Sequence, residues 1–295
     1  MKINRRKALQ SSSILIASSG ICSLVAEEMQ QTDKPDRIIQ FGIITDLHHA
    51  DKPPAGTRYY RETFGKFGEA AEKFKSAKPD FIVELGDLID AADSVETELK
   101  YLKQINREFE KTCPKRYYVL GNHCVDTLKK QEFLGEVGQH KSYLSFDSNG
   151  WHFIILDACF RTDGTPYERK NFNWTDSNIP PAELDWLKTD LAATNCNTIV
   201  FAHQRLDSAG NHMVKNAPAV RSILEESGKV RAVFQGHSHK NDIQQIEGIT
   251  YVTMVAMIEG SGAENSGYSL VSLLSSGQIV VEGFRNQKGY QFARS

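Results

Sequence analysis

The residues best suited to chemistry in this chain stand at the ends of strand-like runs. His237 and His239 stand one residue apart, directly after the apolar run VRAVF (Val230–Phe234), with the small Gly236 and Ser238 around them. Imidazole is a common metal ligand, and two imidazoles rarely converge after a buried strand without binding something. The segment therefore predicts a bound group whose other ligands lie elsewhere in the chain.

Four other strand-like runs end in polar side chains of the same kinds. These are Asp46 and His48 after IIT, Asp87 after FIVEL, Asn122 and His123 after RYYVL, and His203 after TIVFA. Binding sites in open α/β sheets form outside the carboxyl ends of strands, so these side chains could share one pocket. Each segment alone is ordinary turn or surface chemistry, but all five in this order are a strong signal.

The candidate ligands mix oxygen and nitrogen donors. They are Asp46, His48, Asp87, Asn122, His203, His237 and His239. This set suits Mn, Fe or Zn, and the lack of a thiolate argues against a closed structural zinc site. Seven ligands are too many for one tetrahedral ion and about right for two ions that share a carboxylate. Two cations about 3.5–4 Å apart can clamp both oxygens of a phosphoryl displacement and acidify a bound water. A further histidine beside them would then supply the leaving-group proton.

The elements that position these residues alternate between strand and helix before a final run of strands. Tyr60, Phe64, Phe67, Ala71 and Phe74 follow helical spacing and predict a helix within 58–77. Further helices are expected over 95–111, 180–194 and 217–227, and a hairpin turn at 148–150. After residue 234 only strand-like runs separated by Gly and Ser turns remain. This order predicts one α/β domain with two sheets packed face to face and helices outside.

Composition and charge narrow the function class. The chain has 295 residues, of which 40% are hydrophobic and 24% charged, as in a globular enzyme. The net charge of −2 gives no basic footprint, so a nucleic-acid-binding surface is not expected. The five cysteines form no C-x-x-C pair, which argues against a disulfide framework. The sequence leaves the oligomeric state open.

The first 26 residues have the layout of an export signal. A basic start containing Arg5-Arg6 precedes a short, Ser-rich, mildly apolar run that is too short and polar to span a bilayer. The arginine pair indicates a twin-arginine-like signal and a periplasmic or extracellular protein, the alternative being an ordinary tail. We therefore expect a signal over 1–26, a linker over 27–36 and a single domain over 37–295.

In this order the motifs resemble those of the calcineurin-like metallophosphoesterases, over about residues 38–285. The resemblance implies a four-layer α/β/β/α sandwich of two mixed sheets, and hydrolysis of phosphomonoesters or phosphodiesters by a hydroxide that bridges two divalent metal ions. It also implies the role of each residue: Asp46, His48 and His239 on one metal, Asn122, His203 and His237 on the other, Asp87 bridging, and His123 as leaving-group acid or phosphate donor.

The resemblance leaves the substrate open. The segments RYYRETFGKFGEA (58–70) and GDLID (86–90) are similar to manganese-dependent ADP-ribose/CDP-alcohol diphosphatases, which usually carry glutamine where this chain has His48. A nucleotide diphosphatase is therefore one alternative to a monoesterase or diesterase. A catalytically inert metal-holding binding protein is another, which a missing ligand would favour.

Several neighbouring residues qualify these expectations. Purple acid phosphatases have a tyrosine ligand where this chain has Asp90, so no tyrosinate colour is expected. Cys124, where many members have an acidic residue, fits a packing role. Of the cationic candidates near the motifs, Arg205 is the preferred phosphate contact because it lies two residues after His203. The partner expected at this site is a small phosphate ester.

Overall fold

The computed structural model describes residues 36–207 and 210–293. The expected export signal and residues 27–35 of the expected linker lie outside the described residues. The strands are β1 (Arg37–Ile44), β2 (Phe81–Glu84), β3 (Arg116–Tyr118), β4 (Leu144–Ser148), β5 (Trp151–Ile155), β6 (Asn197–Phe201), β7 (Val230–Gln235), β8 (Asp242–Ile246), β9 (Ile249–Thr253), β10 (Gly267–Leu274), β11 (Ile279–Arg285) and β12 (Tyr290–Phe292). The α-helices are α1 (Thr63–Ala77), α2 (Val95–Thr112), α3 (Lys130–Val137), α4 (Pro181–Ala193) and α5 (Ala217–Ser227).

The strands form two six-stranded sheets, both mixed. The first has the order β12-β11-β10-β1-β2-β3, in which β1, β2 and β3 are parallel and the β10–β12 meander joins β1 antiparallel. The second has the order β4-β5-β6-β7-β9-β8, in which β5, β6, β7 and β9 are parallel and the two edge strands are antiparallel.

The two sheets pack face to face through a core rich in phenylalanine. Phe41 and Phe81 from the first sheet contact Phe153 from the second, and Phe41 also meets Phe201 and Phe234 edge to face. Edge-to-face rings are a favourable arrangement for buried aromatic pairs. Residues 39, 41 and 43 of β1 all face this core, as the two-residue period of a strand requires.

Helices cover the outer face of each sheet. Phe74 of α1 and Phe109 of α2 bury their rings against the first sheet, and Leu187 of α4 and Val220 of α5 do the same on the second. The order helix, sheet, sheet, helix confirms the α/β/β/α sandwich expected from the sequence. Among the described residues, no helix combines the length and apolarity needed to cross a bilayer.

The differences from the expected elements are local. Residues 60–62 form a short 3-10 turn, and α1 begins only at Thr63, whose hydroxyl donates to the carbonyls of Leu47 and Tyr60. The structure also adds α3 and β12, which the sequence analysis did not predict. Both are too short to show a clear period, so packing rather than pattern determines them.

Candidate metal centre and active site

Loops at the carboxyl ends of β1, β2, β3, β6 and β7 carry all seven predicted ligands to one edge of the sandwich. Five of them have left-handed backbones: Asp46 (φ 54°), His48 (φ 47°), Asp87 (φ 57°), His237 (φ 65°) and His239 (φ 59°). Such backbones are costly for residues other than glycine and concentrate at functional sites. Sharp turns after the strands therefore direct these side chains into a shared space.

Two glycines make these turns possible. Gly86 has a φ of +105°, and a side chain there would collide with the ring of His203. Gly236 lies so close to Asp46 that a Cβ atom would stand 2.7 Å from its Oδ2. A larger residue at either position would push apart side chains that the site brings together.

The first cluster consists of Asp46, His48 and His239. Asp46 Oδ1 lies 3.2 Å from His239 Nε2 and 3.8 Å from His48 Nε2. The other oxygen, Oδ2, accepts hydrogen bonds from the Thr45 hydroxyl at 2.7 Å and from the His237 backbone N–H at 3.1 Å. The carboxylate is thereby oriented with Oδ1 toward the two imidazoles.

The second cluster consists of Asp87, His203 and His237, with Asn122 beside them. His203 Nε2 lies 3.1 Å from Asp87 Oδ2 and 3.2 Å from His237 Nδ1. The same Asp87 oxygen lies 3.6 Å from His48 Nε2 of the first cluster. Asp87 is therefore placed between the clusters, as its predicted bridging role requires.

Several of these buried ligand atoms have no hydrogen-bond partner among the residues that the structure describes. They are Asp46 Oδ1, His48 Nε2, Asn122 Oδ1 and His237 Nε2. Leaving a buried polar atom unpaired costs about 1–3 kcal/mol of stability. Four such atoms around one site therefore indicate that a bound group, such as a cation, normally pairs with them. Both clusters are compact enough for their donors to share an ion. The described residues thus fit two cations with mixed nitrogen and oxygen coordination.

Outer contacts fix the orientation of three candidate histidine ligands. His48 Nδ1 lies 2.9 Å from Asp90 Oδ2, His239 Nδ1 lies 2.6 Å from Glu259 Oε1, and His203 Nδ1 donates to a backbone carbonyl at 2.8 Å. A proton held on Nδ1 leaves Nε2 free toward the metal position. The sequence analysis missed these roles of Asp90 and Glu259. GDLID offered a signal for Asp90, whereas Glu259 stands outside every motif.

Charges within the clusters shift the pKa values of their members. Burial by itself raises the pKa of the Asp46 carboxyl, but His239 and His203 hold that pKa well below its usual range. Burial and the neighbouring His203 lower the pKa of His237 to about 3, so its ring is neutral at neutral pH. Burial lowers the pKa of His239 also, but Asp46 and Glu259 outweigh it and raise the pKa to about 9. Binding a metal at His239 therefore releases a proton.

His123 lies beside the first cluster. Its ring packs edge-on to that of His48, with ring centroids 4.7 Å apart, and its Nδ1 is 3.5 Å from Asp90 Oδ1. Burial lowers the pKa of His123, but the carboxylates of Asp87 and Asp90 outweigh it and raise the pKa. A protonated imidazole beside the ligands is suited to donate a proton to a leaving group.

A cavity of about 280 Å³ opens onto both clusters. Its described lining residues are Arg58, Asp87, Asn122, His123, Trp174, His212, His237 and His239. Trp174 and His212 were not among the site residues predicted from the sequence. Neither belongs to a strand-end motif, although a tryptophan within the polar stretch KNFNWTDSN was a signal that could have been used.

The structure gives Arg205 a different environment from the predicted phosphate contact. Its guanidinium pairs with Asp207 at 2.8 Å and Asp242 at 2.5 Å, and Arg205 is absent from the described lining of the cavity. Two carboxylates satisfy its donors and neutralise its charge, so little remains for a substrate. Arg58 lines the cavity instead.

Other polar residues near the motifs have structural surroundings. His49 is buried against Phe64 and Tyr101, and His152 bonds Asp147 and Asp190. Cys124 is fully buried, in keeping with a packing role. Asp157, two residues after β5, accepts from Lys130 at 2.6 Å and from the Cys159 N–H.

A sandwich of two mixed sheets with a paired-cation site at its strand ends defines a two-metal hydrolase. The sequence model of the calcineurin-like phosphoesterase family matches residues 39–241, and the chain belongs to this family. It is therefore a metal-dependent phosphoester hydrolase. Across 75% of this chain and 84% of the relative, it is 25% identical to a manganese-dependent ADP-ribose/CDP-alcohol diphosphatase from Oryza sativa subsp. japonica.

Two further proteins extend the comparison. A probable cyclic nucleotide phosphodiesterase from Pseudoalteromonas sp. (strain SM9913) is 27% identical over 68% of this chain and 71% of the relative. Among solved structures, a dimetal phosphatase from Danio rerio superposes with a TM-score of 0.78 at 17% identity, covering 88% of this chain and 100% of that one. This likeness confirms the fold.

Proposed function

We propose that the protein hydrolyses the diphosphate bond of nucleoside diphosphate esters of the ADP-ribose and CDP-alcohol type. The observation that carries the proposal is Arg58, which lines the cavity beside the predicted ligands. A diphosphate presents a second phosphate that needs its own cationic contact, and the planar guanidinium of arginine suits it. Arg58 opens the segment 58–70, one of the two that are similar to the diphosphatases, and relatives named for that activity support the same substrate class.

The proposed roles follow the geometry of the clusters. The first cluster would hold one divalent ion, the second cluster with Asn122 would hold the other, and Asp87, which lies between the clusters, would serve both. When bound, the two ions supply an activated water and neutralise phosphate charge. His123 donates a proton to the leaving oxygen, and Arg58 holds the second phosphate. Manganese is the proposed metal because the relatives are named for it.

The test begins with metal analysis of freshly purified protein. Hydrolysis of ADP-ribose and CDP-choline is then measured beside p-nitrophenyl phosphate, bis-p-nitrophenyl phosphate and a cyclic nucleotide. We expect AMP with ribose 5-phosphate and CMP with phosphocholine, and no activity after chelation until Mn²⁺ is returned. Hydrolysis of p-nitrophenyl phosphate alone, with release of orthophosphate, would show a monoesterase. A clear preference for the cyclic nucleotide would instead favour the second candidate, a phosphodiesterase, which the relative from Pseudoalteromonas suggests.

The alternative of an inert metal-holding protein is disfavoured by the complete set of candidate ligands. Such a protein would bind two ions per chain yet hydrolyse none of the phosphate esters above. A small substrate, rather than a nucleic acid, is also proposed, because the net charge is −2 and the site is a cavity of about 280 Å³. Tight binding of an oligonucleotide at physiological salt would contradict this.

We also propose that the chain is exported by its first 26 residues, on the basis of the arginine pair and the short apolar run. Cell fractionation should place the full chain outside the cytoplasm. Replacing the pair through Arg5→Lys and Arg6→Lys should retain the protein inside. An unchanged distribution of the double variant would rule out the twin-arginine route.

A further inference from the structure

Trp174 is an exposed aromatic residue that lines the site cavity. It lies on the long segment 156–180 between β5 and α4, and 41% of its surface is exposed. Four large hydrophobic residues are exposed to this degree among the described residues, and Trp174 is the one that lines the site cavity. An indole left in water at the mouth of a site gains free energy when a flat apolar group covers it.

The indole belongs to a small group of rings on one side of the cavity. Its centroid lies 5.2 Å from that of His212, and the His212 ring lies 5.3 Å from that of His237. We call Trp174 and His212 the aromatic wall. The two residues come from different loops, so the wall is a feature of the folded cavity and not of one segment.

The aromatic wall lies against the second cluster, because both of its rings approach His237, Trp174 at 6.1 Å between centroids. The ring of His123 packs on His48 of the first cluster, and its backbone N–H donates to Asp87 between the clusters. The aromatic wall and the ring of His123 therefore contact imidazoles of different clusters, the wall at His237 and the His123 ring at His48.

We propose that the aromatic wall stacks the nucleobase of the substrate and so determines which phosphorus atom is attacked. This inference rests on the proposed function and names its substrate more narrowly. Any base offers a π face, so stacking tolerates both purines and pyrimidines. With the base on the wall, the nucleoside-side phosphorus lies over the clusters and the rest of the molecule points toward His123.

In this orientation, water attacks the nucleoside-side phosphorus and the distal phosphate group leaves. The water oxygen forms a new bond to the nucleoside-side phosphorus, and the bond from that phosphorus to the bridging oxygen breaks. The bridging oxygen leaves with its electron pair on the distal phosphate and takes up a proton from the His123 side, while the attacking water loses one. The products are a nucleoside monophosphate and a phosphate monoester.

A pair of chromogenic phosphodiesters tests the aromatic wall without a diphosphate bond. Thymidine 5′-(p-nitrophenyl phosphate) and methyl p-nitrophenyl phosphate release the same leaving group, and only the first carries a nucleoside, which brings the base to the wall. For Trp174→Ala, the ratio of kcat/KM for the thymidine ester to that for the methyl ester should fall about 5- to 100-fold, the range expected for one lost base stack. Trp174→Phe should retain most of the ratio. Phe64→Ala, which removes another exposed aromatic side chain outside the described cavity lining, should leave the ratio unchanged.

The outcomes separate the two proposals. If the ratio is unchanged in Trp174→Ala, whether both esters keep their kcat/KM or lose it equally, base stacking on the wall is overturned. Hydrolysis of ADP-ribose in ¹⁸O-labelled water should place the label in AMP, and label in ribose 5-phosphate would overturn the proposed orientation. If ADP-ribose and CDP-choline are not hydrolysed, the diphosphatase proposal fails. The chromogenic pair still decides whether the wall binds a base.

Discussion

Asp90 links a candidate metal ligand to the candidate proton donor. One oxygen lies 2.9 Å from His48 Nδ1, and the other lies 3.5 Å from His123 Nδ1 and accepts from Lys52 at 2.6 Å. Burial raises the pKa of Asp90, but its two histidine partners outweigh it and hold the pKa below its usual range. The carboxylate therefore stays charged, which favours a proton on each imidazole at Nδ1.

Replacing His123 by alanine should separate proton donation from metal binding. Because the ring lies beside the ligands but is not among them, His123→Ala should keep two metals per chain. Its rate on esters with poor, alkoxide-like leaving groups should fall about 10²–10⁴-fold, with a smaller loss on nitrophenyl esters that need no proton. The measurement is kcat across leaving groups of increasing pKa, with metal analysis beside it. Full activity on the poorest leaving group would contradict the assigned role.

His48 is the position where the diphosphatases usually have glutamine, and two substitutions there test the first cluster. An amide oxygen is still a competent ligand for Mn²⁺. His48→Gln should therefore keep most of the ion at the first cluster and hold close to two ions per chain. His48→Ala should lose that ion and hold about one ion per chain. Metal content after gel filtration distinguishes them, with the exposed His140→Gln as the control. Equal metal content in all three variants would remove His48 from the ligand set.

At the residue scale, the sequence predicted the candidate ligands better than their surroundings. Asp87, Asn122 and His203 each follow a strand directly, so the chain order reveals their common edge. Nothing local reveals that Asp242 lies 2.5 Å from Arg205, because the two are 37 residues apart. Contacts between distant segments of this kind depend on the completed fold, and the prediction for Arg205 had no access to them.

At the scale of elements, one buried lysine organises a loop of the site. The ammonium group of Lys66 in α1 lies 2.6–3.2 Å from four consecutive carbonyl oxygens, those of residues 257–260, which share its three N–H donors. The same loop donates backbone hydrogen bonds to Thr45 and Asp46. It also carries Glu259, which bonds His239. One ammonium group thus connects a helix to both sides of the first cluster.

Removing that ammonium should loosen the first cluster. Lys66→Met keeps an unbranched side chain but leaves buried carbonyls unpaired, which costs about 1–3 kcal/mol of stability for each unsatisfied group. We expect a lower melting temperature and weaker binding of the ion at the first cluster, because Glu259 no longer orients His239. Thermal unfolding and metal titration measure both effects. Lys75→Met, on the solvent side of the same helix, is the matched control. Equal metal affinity in the two variants would contradict the positioning role.

Element prediction succeeded where the periodic pattern was long. α2, α4 and α5 begin and end within a residue or so of expectation, and the hairpin of β4 and β5 turns where Asn149-Gly150 indicated. The start of α1 was wrong because the apolar step at Tyr60 belongs to a separate 3-10 turn. Apolar spacing shows which face is buried, but not whether the backbone has reached α-helical geometry.

At the scale of the whole molecule, the site exists only where the two sheets meet. Asp46, Asp87 and Asn122 follow strands of the first sheet, and His203 and His237 follow strands of the second. Each cluster takes ligands from both sheets, so neither sheet alone provides a metal position. The sequence predicted this arrangement because parallel strands bring their carboxyl ends to one edge. The face-to-face packing of two sheets was also expected, whereas the phenylalanine contacts between them required the structure itself.

Beneath this junction, the buried Glu84 should make stability depend on pH. Burial raises the pKa of Glu84 well above its ordinary value of 4.5. When the pH is above about 4.5, the unfolded chain releases the Glu84 proton while the folded protein keeps it, so the contribution of Glu84 to stability falls as pH rises. Glutamine at this position does not titrate. The stability of metal-free Glu84→Gln relative to wild type should therefore grow above about pH 4.5, by at most about 1.4 kcal/mol per pH unit.

Denaturant unfolding of chelated protein between about pH 4 and pH 8 measures the difference between Glu84→Gln and wild type. Glu282→Gln, an exposed carboxylate on β11, serves as the control and should show no such trend. A difference for Glu84→Gln that stays constant with pH would mean that the folded protein ionises this carboxyl as readily as the unfolded chain does. The charge of Asp46 and Asp87 above it makes that outcome unexpected, since both raise the pKa of Glu84 further.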